Sequence, residues 1–99
     1  MANPTSTVDP TRFLQMQREL QQHIREEKLA TIDSIIKDKH FMVAALVAGS
    51  YTDPTIHAEA ITRIISAAER IEDPAEKIKI IENIAKGLLM SLGASTLPS

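Results

Sequence analysis

Three histidines, His23, His40 and His57, are the first residues to weigh for catalysis or metal binding, because imidazole is both a common general base and a common nitrogen ligand. None has a second histidine three or four residues away, so no single helix face presents a pair of ligands. A helical bundle can hold two metal ions on Glu-x-x-His repeats, and the chain contains no such repeat. There is no cysteine, which removes both thiolate ligands and disulfides. Ser50, Ser66 and Ser91 sit in no nucleophile motif, and the three glycines are isolated rather than grouped in a phosphate-cradling loop. The acidic residues Glu19, Glu26, Glu27, Asp33, Asp38, Glu59, Glu69, Glu72 and Glu76 are spread along the chain. Arg12, Arg18, Arg25, Lys37, Lys39, Arg63, Arg70 and Lys86 could line a pocket for an anion, but solvated helix faces account for them more simply. The sequence therefore points to no catalytic residue, metal site or cofactor.

The overall balance agrees. Eleven basic and thirteen acidic residues give a formal charge of −2, without the basic excess on which nonspecific phosphate binding relies, so nucleic acid is not an expected partner. A hydrophobic fraction of 43% in 99 residues is enough for one globular domain, and the 3% aromatic content favours a helical core. Met1–Thr7 lacks a basic stretch followed by an apolar one, so no secretory leader is expected and the cytoplasm is the expected location. No membrane contact is expected either.

Asp-Pro occurs three times, at Asp9–Pro10, Asp53–Pro54 and Asp73–Pro74, each time ahead of apolar residues at helical spacing. Asp accepts hydrogen bonds from the first-turn amides, and Pro fits the next position because its missing N–H costs nothing there. These pairs mark three helix starts. Glu76 adds a capping-box-like spacing to the third.

From Pro10 to Ala48 there is no further proline and no glycine, so the simplest expectation is one helix of about 58 Å. Its N-terminal half carries a sparse stripe, Phe13, Met16, Leu20 and Ile24. After Arg25–Lys28 the stripe resumes through Leu29, Ile32, Ile36, Val43 and Leu46 or Val47, with Ile35 and Met42 beside it. The weak point is Lys37–His40, where Asp38 offers a place to end one helix and cap another. Phe41–Ala48 is the longest apolar run and the expected centre of the fold. At eight residues it is too short to span a bilayer. Gly49 is expected to end this helix in a left-handed conformation. A second helix over 54–71 buries Ile56, Ala60, Ile64, Ala67, Ala68 and Ile71. A third over 74–92 buries Ile78, Ile81, Ile84, Ala85, Leu88 and Leu92, with Ile80 and Leu89 widening the stripe, Gly87 packing closely on Ala44 or Ala48, and Gly93 at the end.

The expected fold is thus an all-α small helical bundle: one long N-terminal helix, with a site for a kink at 37–40, plus a C-terminal helical hairpin. Residues 9–93 form one domain between a flexible arm (1–8) and a flexible tail (94–99). A helix of that length outruns its hairpin, so Phe13, Met16, Leu20 and Ile24 are the expected dimer interface or partner-binding residues. The expected function is a non-enzymatic interaction module, an adaptor, chaperone-like or regulatory protein. It would act as a homodimer, or on another protein, through helix-on-helix contacts.

Two rivals are weighed against it. One long helix followed by two shorter ones resembles the all-helical chorismate mutases, which are intertwined dimers. That likeness implies a small enzyme with two arginines and a lysine on its first helix and an acidic–arginine pair on its second. Arg12, Arg18, Arg25 and Lys39 do not reproduce the family's spacing, and the second helix offers only Glu59 and Arg63. The tight joint between the last two helices also suits a helix-turn-helix DNA reader. The would-be recognition helix, however, begins Pro74–Ala75–Glu76 and exposes few lysines.

Overall fold

The computed structural model describes residues 9–96, and side chains through Gly93. Four helices follow in order: α1 (Pro10–Lys37), α2 (Phe41–Ser50), α3 (Pro54–Glu69) and α4 (Pro74–Thr96). Among the described residues there is no strand, so the chain is an all-α small helical bundle. The expected arm at 1–8 and the last residues of the expected tail, 97–99, lie outside the described residues.

Three helices begin where Asp-Pro places them. The Asp9 carboxylate accepts from the Thr11 amide at 3.0 Å, Asp53 from Thr55 at 2.9 Å and Ile56 at 3.3 Å, and Asp73 from Ala75 at 3.3 Å. The fourth start comes from the break at the weak point. Asp38 closes α1, yet it does not cap α2, whose first residue follows His40 with no side-chain cap. Lys39 takes a positive φ of 61°. Its amide donates to the Ile36 carbonyl at 2.8 Å, and the His40 amide to Ile35 at 3.2 Å. That pair of bonds is the Schellman arrangement, in which one left-handed residue satisfies the last carbonyls of a helix. Lysine fills a position that glycine usually takes.

The core is small and centred on α2, which packs on all three other helices and most closely on α4. Phe41, Ala44, Ala45 and Ala48 of α2 meet Leu29 and Ile32 of α1, Ile56, Ala60, Ile64 and Ala68 of α3, and Ile80 and Ile84 of α4. The Phe41–Ala48 run is therefore the organising element, but its inward face differs from the expected one. Val43 and Met42 are exposed, Leu46 and Val47 only half-buried, and the small alanines face in.

α4 shows why. Its buried face is Ile80, Ile84, Gly87 and Ser91. Gly87 lies against the backbone of α2: a Cβ there would come within 2.8 Å of the Ala45 Cβ and closer still to the Met42 carbonyl. The close approach expected at Gly87 thus exists, on Met42 and Ala45 instead of Ala44 or Ala48. Gly49 is not a left-handed terminus. It lies inside α2, where a Cβ would stand 2.6 Å from the Ser91 Cβ. Small residues on both helices let the two axes draw together. α4 also continues through Gly93 to Thr96, beyond its expected end.

Helices α3 and α4 are joined as a hairpin but touch each other least of the packed pairs, each resting mainly on other helices. The molecule is correspondingly long and thin, 73 × 36 × 17 Å, with a radius of gyration of 19.0 Å. A compact chain of this length would have one of about 13 Å.

Candidate functional site

The first half of α1 has no cover. From Pro10 to Ile24 every residue is exposed, although from Arg18 onward the helix borders a groove shared with the start of α3. Nothing interrupts it, because no glycine or proline follows Pro10 within α1. The result is an exposed helical arm of about 22 Å, of which the first half stands off the bundle. Phe13, Met16, Leu20 and Ile24 share one face of it, with exposures of 57, 62, 57 and 39%. Leu14 adds a fifth bare apolar side chain that the helical stripe had not included. Burying a large apolar side chain is worth about 1.5–3 kcal/mol, so a row of them left in water is an unmet driving force for association.

The root of the arm is held by polar contacts. Tyr51, at the end of α2, donates its hydroxyl to the Lys28 carbonyl at 2.9 Å, and the Lys28 ammonium sits 5.2 Å from the ring centroid. Burial pushes the phenol above its ordinary value. Arg63 of α3 bridges Asp33 of α1 at 2.6 Å and Glu59 at 3.2 Å. The His57 Nδ1 lies 2.9 Å from the Ala48 carbonyl, which can only accept, so that nitrogen carries the hydrogen. His57 thereby closes the end of α2 from the first turn of α3.

The cations weighed for an anion pocket do not gather in one place. Arg18 and Arg25 line a shallow polar groove of about 330 Å³ with Gln21, Asp53 and Thr55. The carboxylate of Asp53 occupies the amide end of α3 there. Hydrogen bonds from the Thr55 hydroxyl and amide and from the Ile56 amide hold its pKa below the ordinary value, and Arg25 adds a smaller pull. Arg63 belongs to a separate groove with Asp33, Glu59 and Arg70. Lys39 is exposed in the α1–α2 turn, and Arg12 lies near the free end of the arm. Of the histidines, His23 pairs with Glu27 at 2.9 Å on the exposed arm side of α1, and His40 precedes α2. Among the described residues no group of three potential metal ligands comes together. No helix among them is long and apolar enough to cross a membrane.

A second apolar surface was misassigned in the sequence. Ile78, Ile81, Ala85 and Leu92, expected in the core, are exposed, and Leu88 is half-buried. They run along the outer side of α4, where Ile81, Ala85 and Leu88, with Ile65, Ala68 and Glu69 of α3 and Lys77 of α4, border a groove of about 370 Å³. α4 is apolar on two faces, and the smaller-residue face is the one turned inward. No protein-family model, curated protein or solved structure matches this chain.

Proposed function

We propose that this chain is a non-enzymatic helical interaction module, an adaptor, chaperone-like or regulatory protein, that works through protein–protein contacts and pairs with itself as a homodimer. The observation that supports this most strongly is the uncovered arm: Phe13, Met16, Leu20 and Ile24 form one apolar stripe on a helix that leaves its own bundle. A stripe of that kind gains stability when another helix or an apolar groove covers it. No substrate or cofactor belongs to this proposal. A cysteine-free chain suits the reducing cytoplasm, which we take as its location.

The test is sedimentation of the parent and of the double variant Leu20→Glu with Ile24→Glu. Two charges on the stripe should weaken the dimer on the order of 100-fold. Both residues are clear of the core, so the variant should keep the parent's helical circular dichroism. A parent that is strictly monomeric at tens of micromolar would refute self-association and leave the arm as the docking face for a different protein.

A further inference from the structure

From Thr11 to Ala48 the chain has neither proline nor glycine, so nothing in Lys37–His40 is a helix breaker. The break between α1 and α2 is held by one backbone choice, the left-handed φ of 61° at Lys39. An L-residue disfavours that conformation because its Cβ crowds the following carbonyl. Lys37–His40 are all exposed, so no buried side chain pins the turn. Beyond it, α2 begins with no side-chain cap, which leaves the Phe41, Met42 and Val43 amides without intrahelical partners.

Straightening the turn removes both defects. The Lys39 and His40 amides now donate to Ile36 and Ile35. In a continuous helix they exchange these acceptors and each bonds four residues back. The three orphan amides gain the carbonyls of Lys37, Asp38 and Lys39. The product is one helix from Pro10 to Ser50, about 60 Å long.

A lone chain loses by straightening. Leu29 and Ile32 of α1 are buried in the shared core, and α1 is tied to the body by Lys28 with Tyr51 and Asp33 with Arg63. Swinging α1 into line with α2 strips those contacts. A second copy restores them, because the α1 of each chain can take the place that the other's α1 has left.

From these observations we infer that the α1–α2 turn is a hinge. Bent at Lys39, the chain closes on itself; straight, it exchanges α1 with a second copy. Concentration sets the balance, since only the straight form consumes two chains. The exchange leaves Phe13, Met16, Leu20 and Ile24 as bare as before, so it does not rest on the pairing of that stripe.

Asp33→Cys and Arg63→Cys, made singly in this cysteine-free chain, report which copy fills the α1–α3 contact. The two variants are mixed in urea, refolded together at hundreds of micromolar and treated with a short bismaleimide. A denaturing gel should then show a linked species of twice the chain mass, which neither variant gives alone. Adding Lys39→Gly to both chains relieves the bent form without helping the straight one, and should weaken the exchange on the order of 100-fold. Adding Leu20→Glu with Ile24→Glu should leave the link unchanged. No link from the mixture overturns the hinge, and a chain carrying both cysteines, linked internally, would then show α1 resting on its own body. A link that Lys39→Gly does not reduce also overturns it. So does a link lost with the stripe, which would assign the contact to stripe pairing instead.

Discussion

Tyr51 shows how much of this fold hangs on single side chains outside the core. It stands in the short connector after α2, yet its hydroxyl reaches back to the Lys28 carbonyl and fixes the root of α1. Tyr51→Phe keeps the ring and removes the donor, so it should cost about 0.5–1.5 kcal/mol in urea unfolding. No change would mean that the contact is not formed in solution. Nothing in the sequence announced this role, because the bond joins residues 23 positions apart. Local chemistry was far more readable. Asp9, Asp53 and Asp73 cap helices as their Asp-Pro context requires, since a cap depends only on the next three residues.

At the level of the elements, the break between α1 and α2 and the pairing of α2 with α4 decide the architecture. Lys39 carries a left-handed backbone that costs an L-residue about 1–2 kcal/mol. Lys39→Gly should therefore stabilise the fold by up to about 1 kcal/mol, the rest being lost to glycine's freer unfolded state. A destabilised variant would argue against a break at this residue. The α2–α4 contact is tested by two glycines in one helix. Gly87→Ala forces α4 away from the Met42 carbonyl, which should cost about 1–3 kcal/mol despite alanine's better helix propensity. At Gly93 an added Cβ meets nothing within 4 Å among the described residues, so Gly93→Ala should gain about 0.5 kcal/mol. If thermal melts rank the two the other way, the close packing is wrong. These elements also mark where the sequence stopped being legible. A helix apolar all round, as α2 is, has no periodicity to say which side faces in. α4 has two apolar faces, and the more hydrophobic one is outside because only Gly87 and Ser91 allow the close approach. The break was visible as a weak point but not as a break, for no glycine or proline stands between Pro10 and Ala48.

The whole molecule is a thin body with a bare apolar arm at one side and a bare apolar helix face at another. Its 17 Å thickness leaves little interior, and among the described residues twelve buried hydrophobics make up the core. A core that small gives a chain of this size modest stability on its own. Covering the arm would add to it, so thermal stability should rise with protein concentration. The arm was legible in advance because an uninterrupted helical stripe longer than its hairpin must project. The bare outer face of α4 was not, because Ile78, Ile81, Ala85 and Leu92 looked like core. The most direct measurement is the solution mass of the unaltered chain by sedimentation equilibrium from about one to a hundred micromolar. Self-association predicts a mass that climbs to twice 10.9 kDa and stays there. A mass of 10.9 kDa across the whole range would contradict it.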